Sequence, residues 1–144
     1  MKLYEKMNEY LANQMVMYVK LHNMHWYLKG KSFFTLHVKL EELYEQTGEV
    51  MDEVAERLLA LDQKPVASMK KALKMTAVKE LDDKPISCED AVKKLITDVD
   101  YWIKDTKEVV KLAEDEEDGA TADQFNGYLT EYQKLRWMLK AYVA

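Results

Sequence analysis

The chain has 144 residues and a net charge of -5, with two prolines, four glycines and one cysteine. This length fits a single domain spanning residues 1–144, and a 48% hydrophobic content is enough for a core. The lone Cys88 excludes an internal disulfide and is typical of a reducing cytoplasm. No signal peptide and no apolar run of membrane-spanning length occurs. The mild negative charge argues against nucleic-acid binding by net charge and leaves a local basic patch open.

Apolar residues recur every three to four positions from about Lys2 to Lys29 and again from about Ser32 to Leu61, which predicts two helices. Gly30 lies in the tight turn expected between them, and Ser32 is the expected N-cap of the second helix. The second helix is predicted to bury one stripe of side chains, namely Leu36, Leu40, Leu43, Thr47, Val50, Val54 and Leu58.

The segment from Asp62 to Ser87 breaks this helical pattern. Pro65 and Pro85 bracket a short helix that is predicted from about Val66 to Lys74. A long connection with a small helix inside it is typical of a crossover between two parallel helices.

Two further helices follow the crossover. Ser87 is expected to cap the third helix, which runs to about Asp115, and the fourth runs from about Thr121 or Ala122 to Val143. An acidic turn ending at Gly119 separates them. The side chains predicted to face inward on the fourth helix are Phe125, Tyr128, Leu129, Tyr132, Leu135, Met138 and Leu139. Four long helices with one crossover predict an all-α, ferritin-like four-helix bundle with a short extra helix in the crossover.

Potential metal ligands form a second stripe beside the buried stripe of the second helix. His37 and Glu41 are four positions apart, as are Asp52 and Glu56, so each pair shares one helix face and can hold one ion. The two pairs lie roughly 22 Å apart along the helix, too far to share an ion within one chain. They meet if two copies of the helix cross antiparallel on a two-fold axis near Tyr44 to Gly48, where the glycine fits a close approach.

His25 joins the same constellation, because it lies as far before the turn as His37 lies after it. In an antiparallel helix pair both histidines then sit at the same height, roughly 9 Å from the turn. The predicted site combines His25, His37 and Glu41 of one chain with Asp52 and Glu56 of its mate. Imidazole and carboxylate ligands without sulfur suit Fe, Mn or Zn.

The same residues also have structural interpretations that involve no metal. A single histidine is more often a surface or core residue than a ligand, and carboxylates such as Asp52 and Glu56 often form a solvated helix face that pairs with Arg57 or lysines. A purely structural helical oligomer explains the helices but not the ligand spacing. A di-iron centre inside one bundle needs Glu-x-x-His pairs, and the sequence contains none. His22, one turn before His25, is assigned a structural or hydrogen-bonding role.

Three runs of residues resemble the Dps proteins, the small dodecameric ferritins. They are H-N-M-H-W-Y-L-K-G from His22, F-F-T-L-H-V-K-L-E from Phe33 and D-E-V-A-E-R-L from Asp52, and the likeness in length and helix order covers the whole chain. The resemblance implies a ferroxidase centre of dinuclear type at a two-fold subunit interface, with Trp26 beside it. The iron ligands that it implies are His25, His37, Glu41, Asp52 and Glu56.

The resemblance also implies the activity and the assembly. Fe(II) enters a homododecameric shell, is oxidised preferably by hydrogen peroxide, and is stored as Fe(III) mineral, which protects the cell from oxidative damage. The residues expected to carry this ferroxidase chemistry are His25, His37, Asp52, Glu56 and Trp26. Trp26 either packs in the core or at an interface, or is oxidised in place of more damaging targets. Asp118 and Asp123 are candidates for the negatively charged three-fold pores through which Fe(II) enters.

DNA compaction is the alternative function that the resemblance implies. Many Dps proteins bind DNA through a lysine-rich tail, whereas here the first predicted helix begins at Lys2 and the chain ends at Ala144. Lys2 and Lys6 alone make a poor set of phosphate contacts, so we expect weak or absent DNA binding at physiological salt. We further expect a homo-oligomer without membrane contact, located in the bacterial cytoplasm or nucleoid.

Overall fold

A computed structural model describes residues 1–144. Five helices account for most of the chain, which confirms the predicted all-α class. No helix combines the length and the apolar character needed to cross a membrane. In chain order the elements are α1 (Leu3–Tyr27), β1 (Leu28–Lys29), α2 (Phe33–Ala60), α3 (Met69–Met75), β2 (Ile86–Ser87), α4 (Cys88–Asp115) and α5 (Gly119–Val143).

The chain forms two compact units, residues 7–91 and residues 1–6 with 92–144. The first of these contains most of α1, all of α2 and the crossover. The second contains the start of α1, most of α4 and all of α5.

The turn between α1 and α2 contains a short pairing that helical periodicity does not predict. α1 ends at Tyr27, short of its predicted end, because Leu28–Lys29 pairs in parallel with Ile86–Ser87. Gly30 follows at a φ of 132°, a backbone conformation that disfavours side chains. A Cβ there would also lie 3.3 Å from Cys88 Sγ, so the turn requires a glycine.

Helix α2 buries the predicted stripe, and the prediction is confirmed at every position: Leu36, Leu40, Leu43, Thr47, Val50, Val54 and Leu58 are all buried. The prediction for Ser32 is wrong in one respect. Ser32 occupies the N-cap position, but its side chain makes no capping hydrogen bond. Its φ of -93° and ψ of 18° differ from the extended backbone conformation typical of a capping residue, whose side chain accepts from a backbone N–H group of the first helical turn.

The crossover is fastened to α1 by asparagine side chains. Asn8 Oδ1 accepts from Val66 N at 2.7 Å, which draws residue 66 out of the helix predicted there. Asn13 is fully buried and its Oδ1 accepts from Thr76 Oγ1 and Ala77 N, both at 2.8 Å. Because these bonds shape the segment, α3 is shorter than predicted and begins at Met69.

The acidic turn between α4 and α5 lies in the other unit, whereas the start of α4 lies in the first unit. Ser87 Oγ accepts from Asp90 N at 3.1 Å, which confirms the predicted cap of α4. Glu117 adopts a φ of 58° after α4, and Asp118 caps α5 by accepting from Thr121 N at 3.1 Å. This cap starts α5 at Gly119, earlier than predicted.

The inward face of α5 follows the prediction in part. Its buried residues include Phe125, Tyr128, Tyr132, Leu135 and Leu139. Met138 is 42% exposed, so its predicted inward position is wrong.

The unit of residues 1–6 and 92–144 also contains a buried ion pair between Lys6 and Asp105. Lys6 Nζ lies 3.0 Å from Glu108 Oε2 as well.

Candidate metal centre

His25 at the end of α1 and His37 in the second turn of α2 lie against each other. Their rings stack with centroids 3.6 Å apart and an interplanar angle of 11°. The antiparallel placement of the two histidines at one height, predicted from their distances to the turn, is therefore what the structure shows. His25 is only 6% exposed, and Phe33 stacks on the His37 ring with centroids 4.8 Å apart.

A reciprocal pair of hydrogen bonds fixes both rings. His25 Nδ1 is 2.8 Å from the His37 carbonyl oxygen, and His37 Nδ1 is 2.8 Å from the His25 carbonyl oxygen. A carbonyl oxygen only accepts, so each Nδ1 carries the proton. In the neutral ring this leaves Nε2 with its lone pair, which is the form that binds a metal ion. The backbone thus holds two potential nitrogen ligands side by side.

Glu41 lies one helical turn after His37 and completes this part of the site. Its Oε1 is 3.9 Å from His25 Nε2, which is too long for a hydrogen bond. Tyr44 lies three positions after Glu41 on α2, and its ring centroid is 5.3 Å from that of His25. Desolvation, together with the charges of Glu41 and Glu45, raises the pKa of Tyr44 above its ordinary value of 10.0.

Aromatic rings surround Tyr44. His22 stacks on it with centroids 3.7 Å apart, and His22 Nδ1 bonds the Tyr18 carbonyl oxygen at 2.7 Å. The structural role assigned to His22 from the sequence agrees with these contacts. A Cβ on Gly48 would lie 3.1 Å from Tyr18 Cε1. The space above this glycine is therefore occupied by a ring of the same chain, a reason for glycine that the sequence interpretation did not contain.

Asp52 and Glu56 lie further along α2, one turn apart and exposed to solvent. The structure does not bring them near the histidines, since α2 is a continuous helix and the separation is roughly 22 Å. Within the single chain, no three His, Cys, Asp or Glu side chains are grouped so that they could hold a metal ion. One chain therefore presents two separate, incomplete groups of donors.

Exposed apolar side chains lie close to the histidine group. Trp26 is 69% exposed, with its ring centroid 5.3 Å from that of His22. Phe34 and Val38 are 82% and 56% exposed, and they lie four positions apart on one face of α2. Trp26 is thus not a core residue of the isolated chain.

Known proteins resemble this chain over nearly its whole length. The ferritin-like domain family matches residues 4–144. General stress protein 20U of Bacillus subtilis (strain 168) is 44% identical over 142 residues, which are 99% of this chain and 97% of the relative. DNA protection during starvation protein 2 of Bacillus anthracis is 39% identical over 139 residues, covering 96% of this chain and 94% of the relative. The chain belongs to the Dps family.

A solved Dps structure agrees with this assignment. Dps from Staphylococcus aureus matches the chain with a TM-score of 0.95 at 39% identity, covering 99% of this chain and 95% of that one. The predicted ferritin-like four-helix bundle, with a short extra helix in the crossover, is confirmed by this match and by the order of the helices.

Sequence reasoning did not find Tyr18 and Tyr44, whose rings pack with His22 beside the predicted ligands. Their spacing in the sequence indicates that they share helix faces with the predicted ligands. Tyr18, His22 and His25 follow each other at helical intervals on α1, as Glu41, Tyr44 and Gly48 do on α2. Two such faces at one height pack together, and this packing connects Tyr44 to the predicted ligands.

Proposed function

We propose that this Dps-family chain is one protomer of a ferroxidase that oxidises and stores iron. The observation that carries the proposal is the stacked pair His25 and His37, whose Nδ1 atoms are both bound to backbone carbonyls at 2.8 Å. Hydrogen bonding of this kind orients a metal-binding imidazole and increases the basicity of its other nitrogen. Glu41 adds a carboxylate 3.9 Å from His25 Nε2.

A second copy of the chain supplies the missing ligands in this proposal. Asp52 and Glu56 of one protomer lie beside His25, His37 and Glu41 of its mate across a two-fold axis. The exposed Trp26 on α1 and the exposed pair Phe34 and Val38 on α2 support an interface there, because groups of exposed apolar side chains mark contact surfaces. A two-fold axis uses each surface twice and so creates two equivalent iron sites per dimer.

The chemistry of the proposed site follows from its mixed ligands. Fe(II) is the substrate, and carboxylates are hard, anionic ligands that favour the Fe(III) product. Two Fe(II) ions each give up one electron, and hydrogen peroxide accepts both as its O–O bond breaks. Two protons then complete two molecules of water. Consumption of peroxide and Fe(II) together prevents hydroxyl radical formation, which accounts for protection from oxidative damage.

Storage requires a closed shell, which we propose to be a homododecamer with acidic entry pores. Asp118 and Asp123 are the proposed pore residues. The Asp118 carboxylate caps α5 and accepts from Thr121 Oγ1 at 2.6 Å, whereas Asp123 is exposed on the second turn of that helix. We therefore assign Asp123 the freer contact with entering Fe(II). The cytoplasmic or nucleoid location predicted from the sequence stays a prediction.

The ferroxidase proposal is tested by replacing both histidines, His25→Ala with His37→Ala. Loss of two nitrogen ligands should abolish the fast phase of peroxide-dependent Fe(II) oxidation, followed by stopped-flow absorbance of the ferric product. Size-exclusion chromatography should show that the variant still assembles, and Glu49→Ala, an exposed carboxylate elsewhere on α2, serves as the matched control. Unchanged oxidation rates in the assembled double variant would remove both histidines from the site.

One observation favours a second candidate function, the binding of DNA. Between Asp62 and Glu80 the chain contains five lysines and no acidic residue, although its net charge is -5. All of them are exposed: Lys64, Lys70, Lys71, Lys74 and Lys79. A cluster of this kind attracts phosphates, but its few contacts give weak binding that salt readily removes.

Gel-shift assays at increasing salt test this second function. We expect binding at low salt only, and its loss on triple substitution of Lys70, Lys71 and Lys74 by Gln. The control removes three exposed lysines of α4 in the same way, at Lys104, Lys107 and Lys111. Tight binding at physiological salt, or equal effects of the two triple variants, would contradict the assignment to the crossover.

A further inference from the structure

We infer that Phe33 is a positioning residue for His37, whose imidazole ring it holds in the orientation in which the ring binds iron. Phe33 is half-buried at the first position of α2 and has no atom that could bind a metal ion. It has this role only if His37 binds iron, so it rests on the proposed function. It deepens that function by adding to the ligand set a residue that acts through a ligand.

A hydrogen bond alone does not fix the plane of the His37 ring. Its Nδ1 bonds the His25 carbonyl oxygen at 2.8 Å, which fixes the position of one ring atom. The ring can still turn about this bond and move Nε2, the nitrogen that is free to bind a metal ion. His37 is also less buried than His25, so its surroundings restrict it less. Because the lone pair of Nε2 lies in the ring plane, metal binding requires that plane to be defined.

Rings on both faces of His37 define its plane. Phe33, one helical turn earlier on α2, stacks on it with centroids 4.8 Å apart and an interplanar angle of 22°. His25 stacks on it with centroids 3.6 Å apart and an angle of 11°. Two nearly parallel rings at these distances would overlap if they shared one face of the imidazole, so they lie on opposite faces. Any tilt of His37 therefore loses a favourable stacked contact or meets a neighbouring ring.

Phe33 is itself placed by the turn before α2. Its backbone N–H donates to the Gly30 carbonyl oxygen at 3.1 Å, which closes the turn. Lys29, the residue before Gly30, pairs with Ser87 in the short parallel sheet. Cys88 Sγ donates to the Lys29 carbonyl oxygen at 3.3 Å. The backbone thus sets the position of Phe33, and the end of the crossover helps to hold the turn in place.

The test compares Phe33→Leu, which removes the ring but keeps an apolar side chain, with Phe33→Tyr, which keeps the ring. Co(II) is titrated into each assembled protein and followed by its d–d absorption, since its binding needs no oxidant. A stacked aromatic pair typically changes an equilibrium constant by a factor of about three to ten. The Kd for Co(II) should rise by about that factor in Phe33→Leu and stay at the parental value in Phe33→Tyr. The KM for Fe(II) should rise in Phe33→Leu with little change in kcat, because His37 remains available as a ligand.

Two controls separate positioning from general damage. Tyr4→Leu removes a half-buried ring at the opposite end of α1 and should leave Co(II) binding unchanged. In a His37→Ala background, Phe33→Leu should have no further effect on the Kd for Co(II), because the ligand that it positions is gone. If Phe33→Leu fails to assemble, Phe33→Met keeps more of the side-chain volume and carries the same expectations.

A crystal structure of the metal-free Phe33→Leu variant provides a readout that does not depend on activity. The angle between the His25 and His37 rings should exceed the 11° of the parent. Parental Co(II) affinity in this variant, an unchanged ring angle, or a full effect in the His37→Ala background would each overturn the positioning role. Failure of the unmodified protein to bind Co(II) or to oxidise Fe(II) would instead refute the proposed function.

Discussion

The two halves of the proposed iron site differ in how far the chain itself prepares them. The half with His25, His37 and Glu41 is ordered by backbone hydrogen bonds and by stacked rings at the α1–α2 turn. The half with Asp52 and Glu56 is a solvent-exposed pair on the same helix. One half is thus ordered within the single chain, whereas the proposed function gives the other half a role only in an assembly. Within one chain, no three such side chains are grouped so that they could hold a metal ion.

The carboxylate half provides the largest expected effect. Replacing Asp52 and Glu56 together by Ala should slow peroxide-dependent Fe(II) oxidation by more than roughly 100-fold, since both ligands of that half are lost. Because the side chains are exposed, the free energy of unfolding should change by less than about 0.5 kcal/mol. Stopped-flow absorbance measures the first quantity and chemical denaturation the second. If the double variant oxidised Fe(II) at the parental rate, or lost much of its stability, Asp52 and Glu56 would have a structural role and not a ligand role.

The histidine half should respond differently, because its residues serve the fold as well as the site. His25→Ala removes a nearly buried ring that bonds the His37 carbonyl oxygen at 2.8 Å. We expect the free energy of unfolding to fall by about 2 kcal/mol, with the carbonyl left without its donor. Denaturation of the Asp52→Ala variant in parallel is the comparison. Equal stability of the two variants would contradict the difference between the halves.

The smallest effect concerns pH. The raised pKa of Tyr44 means that the folded chain holds the phenolic proton more tightly than the unfolded chain. Its contribution to stability is therefore complete below the ordinary pKa of 10.0 and is lost as pH rises through the raised value. A difference titration at 295 nm between the parent and Tyr44→Phe should show one tyrosine ionising above the ordinary value. Ionisation of Tyr44 below that value would be contrary to its carboxylate surroundings.

Helical periodicity was sufficient to predict the parts of the fold that repeat. The buried stripe of α2 from Leu36 to Leu58 follows from apolar spacing alone, since one helix face must be covered. The common height of His25 and His37 follows from equal distances to a turn. Both are consequences of regular helix geometry and need no knowledge of side-chain contacts.

Features that depend on contacts between distant residues were beyond the sequence. The pairing of Leu28 with Ile86 and the bonds of Asn13 to the crossover join residues that no period connects. Ser32 had the right residue type for a cap, but the local backbone directs its side chain elsewhere. The ring packed over Gly48 is also a tertiary contact, visible only once α1 and α2 are placed side by side.

Complementation between two inactive variants tests most directly whether protomers share the iron site. One protomer carries His25→Ala and His37→Ala, and the other carries Asp52→Ala and Glu56→Ala. The two are denatured, mixed in equal amounts and refolded together. Random pairing makes half of the dimers mixed. Each mixed dimer has one site with all four of the substituted ligands intact and one site that lacks all four. About one quarter of the parental oxidation rate should therefore return. A mixture as inactive as its two components would show that the ligands do not meet across a two-fold interface.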